Sequence, residues 1–171
     1  MRTIGWRWGW RWGWRWGWVV GMMLLAMPEG AGAQDLTELS ATEAAARIQA
    51  GADWLAQKGY AMPVLLSHSM GSRMANYFLN HAGEARVDAW VAIGILGEYT
   101  EPGTLKAPVL DLYGEHDYPA VLANAAKRAD ALRKVRRSGQ VQVAGADHFF
   151  AGMENELVRR VRQFLDSRLR Q

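Results

Sequence analysis

Between residues 40 and 170 the chain alternates stretches with apolar residues at every third or fourth position and short stretches that are apolar throughout. The first kind predicts amphipathic helices, the second strands buried on both faces. Ser40-x-x-Glu43 has the form of a capping box and opens a helix to about Gln57, with Ala45, Ile48, Ala52 and Leu55 on one face and Gly59 ending it. A strand is expected at Met62–Leu66, where Pro63 is tolerable near the start. The next helix runs from Met70 to about His81 and carries Met70, Met74, Phe78 and Leu79 at helical spacing. Ala89–Leu96 and Pro108–Tyr113 are the second and third strands. Pro119 suits a first helical turn, and that helix is expected to reach about Arg137. Gln140–Val143 is the fourth strand, and Met153–Leu169 the last helix, with Leu157, Val161, Phe164 and Leu165 as its buried stripe.

Four strands alternating with helices predict an α/β protein with a mainly parallel sheet. The link between the second and third strands is too short to hold an inserted cap domain. A length of 171 residues suits one ordinary domain, and 50% hydrophobic residues suffice for a core. There are no cysteines, which excludes disulfides, thiolate metal sites and a cysteine nucleophile.

The N-terminus has a different pattern. Arg-Trp-Gly-Trp repeats place tryptophan at every even position from 6 to 18, followed by the apolar run Val19–Met27 and a small-x-small site at Ala31-Gly32-Ala33. A basic start, a short apolar run and that site predict an export signal over residues 1–33, cleaved before Gln34. The run is shorter than the about 20 apolar residues a membrane-spanning helix needs. If the segment is retained, its Trp and Arg content suits contact with a membrane surface. The formal charge of +3 comes from this segment, because it holds four arginines and one glutamate and leaves the remainder neutral. Lys127-Arg128, Arg133–Arg137 and Arg159–Arg162 then read as solvated helix faces, and nucleic acid is not an expected partner.

Chemistry enters at Ser67-His68-Ser69-Met70-Gly71, which joins the first apolar strand to a helix. A serine on such a turn is lifted above the sheet and faces the positive end of the helix dipole. Serine needs a base to take its proton, and the base needs a third group to fix its tautomer. Asp117 follows the third strand and His148 the fourth. Asp111 lies within a strand pattern and would be oddly buried, and Asp147 is adjacent to His148. His68 and His116 read as neighbours of the site, and His81 as a solvated residue in the last turn of its helix. Trp54 and Trp90 read as core or half-buried packing. No metal-ligand spacing and no glycine-rich phosphate loop is present, so no cofactor is expected.

The segments SHSMGS, PVLDLYGEHD and GADHFF resemble the nucleophile, acid and histidine segments of the α/β-hydrolase superfamily, over about residues 36–170. Within it, the chain is most similar to a bacterial group of secreted α/β-hydrolase-like proteins. The resemblance implies Ser69 as nucleophile, Asp117 as orienting acid, His148 as general base and the Met70 backbone N–H as an oxyanion donor. It further implies hydrolysis of an ester or related acyl bond in a small-molecule substrate. Two positions depart from the pattern. Ser67 stands where the elbow usually has its first glycine, and the strands expected before the nucleophile strand are absent, with the loop that supplies a second oxyanion N–H. The expected fold is therefore a partial α/β-hydrolase, with about four strands and the N-terminal half of the sheet missing. Its alternative function is that of a non-catalytic remnant, which could self-associate through the exposed sheet edge.

Overall fold

The computed structural model describes residues 18–20, 35–60, 63–81 and 87–169. The four expected strands are present, as β2 (Val64–His68), β3 (Ala89–Ile93), β4 (Val109–His116) and β5 (Gly139–Asp147). A fifth, β1 (Trp18–Val20), pairs in parallel with Val64–Leu66 on the edge that was expected to be exposed. The sheet is parallel throughout, in the order β1-β2-β3-β4-β5. Trp18–Val20 is thus part of the sheet, although the sequence pattern places it in a leader. The rest of the proposed leader lies outside the described residues.

The connections are α1 (Asp35–Gln57), α2 (Met70–His81), α3 (Pro119–Leu122) with α4 (Ala125–Leu132), and finally α5 (Glu154–Leu169). Side chains of β3 alternate between two cores. Trp90 and Ala92 join Ala75 of α2 and Leu132 of α4 on one face. Val91 and Ile93 join Val161 and Leu165 of α5 on the other. Both faces of the sheet are covered, which explains the unbroken apolar runs.

Element boundaries differ from the expectations where polar residues carry structure. The first helix begins at Asp35, so Ser40 lies inside it and does not cap it. A mid-helix serine costs only a fraction of a kcal/mol relative to better formers, too little to delay the helix. The helix expected over 119–137 is split at Asn124, whose backbone is non-helical and whose side-chain amide donates to the Ala120 carbonyl. β3 stops at Ile93 because Gly94 adopts a positive φ of 55°. β4 and β5 continue past their apolar cores through exposed positions that hydropathy does not mark. Trp54 is 55% exposed, with the Lys58 ammonium 5.7 Å from its ring centroid, while Leu55 beside it is the buried residue. Trp90 is fully buried.

Arg128, expected on a solvated face, is also fully buried. Its Nε donates to Asp111 Oδ2 at 2.9 Å, and Nη1 donates to the carbonyls of Gly97 and Val121. The Gln140 amide donates to the same Asp111 oxygen. This ion pair ties β4, β5, α4 and the segment after β3 together, and gives the buried Asp111 a structural role.

Two measurements test these packing arguments. Burial pushes the Asp111 carboxyl above its ordinary value, and Arg128 and Gln140 pull it back. A carboxyl whose folded value is raised binds its proton more tightly in the folded chain, so ionisation subtracts stability as pH climbs through the folded value. Arg128→Met removes the main counterweight and enlarges that loss. Unfolding in urea should show a deficit of about 3–5 kcal/mol at neutral pH, shrinking in mildly acidic buffer as the raised Asp111 carboxyl takes up its proton. A deficit of equal size at both pH values would contradict the pairing. The second test concerns β1. A chain starting at Gln34 loses three cross-strand pairs, so it should unfold about 1–3 kcal/mol more easily and self-associate with rising concentration in analytical ultracentrifugation.

Candidate active site

β2 ends at His68 and α2 begins at Met70, so Ser69 alone makes the turn. Its φ is +55°, in the left-handed region that costs a non-glycine residue roughly 1–2 kcal/mol. Hydrogen bonds to β3 hold it there. Ser69 N donates to the Ile93 carbonyl at 2.8 Å, and the Ser72 hydroxyl donates to the same carbonyl at 3.2 Å. The Ser67 hydroxyl donates to Ser72 Oγ at 3.1 Å and accepts from the Trp90 indole N–H at 2.9 Å. Ser67, in the usual glycine position, is therefore a buried polar bridge between strand and helix. At Gly71, by contrast, an added Cβ would meet nothing within 4 Å among the described residues, so packing does not require its small size.

The acid and the histidine come from the ends of β4 and β5. These strands lose register between Gly114 and His116, where β5 bulges. The bulge approaches so closely that a Cβ on Gly114 would lie 2.3 Å from the Ala146 carbonyl oxygen. Bulges commonly re-aim side chains, and here His148 swings back over the end of β4. Beyond it, Asp147 Oδ1 accepts from the N–H groups of Phe149 and Ala151. Phe150 (φ 55°) drops its ring into the α5-side core. The histidine loop is thus fastened on both sides.

The three residues singled out at strand ends meet. Ser69 Oγ lies 2.9 Å from His148 Nε2, and His148 Nδ1 lies 2.6 Å from Asp117 Oδ1. Asp117 is 4% exposed and His148 2%. The carboxylate is pinned further by the Tyr118 N–H on Oδ1 and the Gly114 N–H on Oδ2. With Nδ1–H donating to Asp117, Nε2 presents its lone pair to the serine hydroxyl. Met70 is the first residue of α2, where backbone N–H groups have no acceptor within the helix.

Several neighbours were not singled out as parts of the site. Gly94 ends β3 beneath the imidazole, where a Cβ would fall 2.9 Å from His148 Cε1 and 3.0 Å from Nδ1. Its only sequence signal is that it is the one glycine within the apolar run Ala89–Leu96. His68 Nε2–H donates to the His148 carbonyl at 2.8 Å, as a neighbour should. His116 is exposed, and His81 is exposed with its ring against the Tyr77 carbonyl. Tyr118 stacks on the His148 ring with centroids 4.0 Å apart, and Phe149 meets it edge-on at 5.2 Å. An apolar cavity of about 320 Å³ between α1, β2 and α2 reaches Ser67 and Gly71 but is not lined by Ser69, Asp117 or His148.

No family model and no curated protein matches the chain. Solved structures do. A predicted CIB-like hydrolase from Thermoplasma acidophilum is 23% identical with a TM-score of 0.60, the match covering 74% of this chain and 60% of that one. A lidless α/β serine hydrolase from Xanthomonas campestris is 17% identical with a TM-score of 0.57, covering 70% and 54%. An esterase from Pyrococcus furiosus is 16% identical with a TM-score of 0.58, covering 71% and 60%. The chain therefore has a partial α/β-hydrolase fold, and it spans only 54–60% of these three relatives.

Gly94→Ala tests whether the seat of the imidazole depends on that glycine. It forces an L residue to φ +55° and drives a methyl into His148, so the variant should fold with a loss of about 1–2 kcal/mol. The His148 Cε1–H resonance should shift, as followed by NMR. An unaltered His148 spectrum in folded protein would refute the contact.

Proposed function

We propose that the protein is a serine hydrolase that cleaves an ester or related acyl bond. The observation that carries this reading is the chain of contacts from a left-handed Ser69 through His148 to Asp117, at the N-terminus of α2. The hydrolase and esterase neighbours lend it support, since the same fold in those proteins carries chemistry of this kind.

In this mechanism Ser69 Oγ attacks the carbonyl carbon while His148 Nε2 takes its proton. Asp117 holds the Nδ1–H and stabilises the imidazolium that forms. The carbonyl oxygen becomes an oxyanion, for which the Met70 N–H and the α2 dipole provide the stabilisation available from this chain's own residues. His148 then returns the proton to the leaving oxygen, the C–O bond breaks, and the acyl group stays on Ser69. Water, deprotonated by the same imidazole, releases the acid and restores the hydroxyl. The low dielectric around the nearly buried Asp117–His148 pair strengthens each of these interactions.

The coverage of 54–60% of the relatives favours a second reading, a remnant that keeps the relay but lacks a complete oxyanion hole. One experiment separates the two. A fluorophosphonate probe should label the full chain at Ser69, located by peptide mass spectrometry, and Ser69→Ala should abolish labelling. His148→Asn should slow it by about 10²–10⁴-fold. Folded protein that stays unlabelled would reject the hydrolase in favour of the remnant.

A further inference from the structure

The histidine that delivers a proton to the leaving group carries two exposed aromatic side chains. Among the described residues, the large hydrophobic side chains left exposed are Trp54, Tyr118, Phe149 and Val158. Two of these four surround His148. Tyr118 lies nearly parallel to the imidazole (centroids 4.0 Å, planes 21° apart) and is 43% exposed. Phe149 stands perpendicular to both rings, 5.2 Å from His148 and 6.2 Å from Tyr118, and is 67% exposed. The two rings form a right-angled corner against the imidazole, which is itself only 2% exposed. The backbone N–H groups of both residues are already committed, that of Tyr118 to Asp117 Oδ1 and that of Phe149 to Asp147 Oδ1.

Chemistry decides which part of a substrate meets this corner. When the tetrahedral adduct on Ser69 collapses, His148 Nε2–H must reach the oxygen of the departing alcohol, and the C–O electron pair goes to that oxygen as it is protonated. The substituent on the oxygen therefore lies beside the imidazole, next to whatever flanks it, while the acyl carbon stays on Ser69. Aromatic rings at right angles, 4.5–7 Å between centroids, are the arrangement into which a third ring packs edge-to-face. Burying the exposed faces of Tyr118 and Phe149 against such a ring also removes apolar surface from water.

We propose that Tyr118 and Phe149 form the leaving-group subsite, and that it selects esters whose alcohol portion carries an aromatic ring. This rests on the hydrolase reading above and adds the substrate class. The test compares benzyl and methyl esters of one short acid, because their alcohols are of similar acidity and the acyl half is identical. The full-length wild type should favour the benzyl ester in kcat/KM by about tenfold or more, through a lower KM. Phe149→Ser and Tyr118→Ser should each cut the benzyl-to-methyl ratio by about three- to tenfold, with Phe149→Leu restoring part of it. The ratio is read within each variant, so a general loss of turnover does not alter it. A wild type that labels at Ser69 with fluorophosphonate yet shows no benzyl preference, or a preference that survives both substitutions, overturns the subsite and leaves the hydrolase standing. Absence of both labelling and turnover overturns the hydrolase reading and the subsite with it.

Discussion

Everything at the site depends on holding Ser69 at a positive φ on a turn one residue long. The backbone cost is on the order of 1–2 kcal/mol, and the compensating bonds come mainly from β3. The Ile93 carbonyl accepts from both Ser69 N and Ser72 Oγ, and the Trp90 indole reaches Ser67 Oγ from within the core. These contacts turn a strained residue into a rigid one, since each buried polar group in the cluster would go unpaired if the turn relaxed. Ser67 in place of glycine is thus part of the clamp. Its hydroxyl completes a path from Trp90 through Ser72 to the Ile93 carbonyl, for which a glycine has no group.

His148 and Asp117 depend on a different constraint, the close approach of two backbones. Gly114 lets the β5 bulge press onto β4, and the same residue's N–H binds Asp117 Oδ2. Gly94 leaves room beneath the imidazole on the third strand. Two glycines with no chemistry of their own therefore set where His148 can sit. The buried Arg128–Asp111 pair serves the same geometry from further away, because it fixes α4 and the segment after β3 against the two strands that carry the acid and the histidine.

Much of this was legible in the sequence. The apolar runs marked β2 to β5 because strands covered on both faces must be apolar throughout. Ser69, Asp117 and His148 were legible because reactive residue types stood just past the ends of those runs. What stayed hidden depends on pairing rather than composition. Arg128 looked like its solvated neighbour Lys127, since nothing local distinguishes a helical arginine that reaches a buried Asp111 from one that faces water. β4 extends through Glu115 and β5 through Ala144 and Gly145, exposed positions beyond the apolar runs. Trp18–Val20 belonged to a pattern that reads as a leader, and its pairing with Val64–Leu66 shows only in three dimensions. Tyr118 and Phe149 were overlooked because an aromatic beside an acid or a base reads as packing until its exposure is known.

The contacts that order the site are unevenly distributed over the sheet. The bonds that hold Ser69, Asp117 and His148 join residues beyond Pro63, within β2 to β5 and their loops. None of those bonds involves β1 or α1. The elbow is clamped from the β3 side and open on the other, where Gly71 has room for a Cβ and the 320 Å³ cavity runs along β2 under α1. Among the described residues, the contacts that join Ser69, His148 and Asp117 are thus complete within β2 to β5 and their loops. Tyr118 and Phe149 stand on the histidine side of this cluster and do not line the cavity.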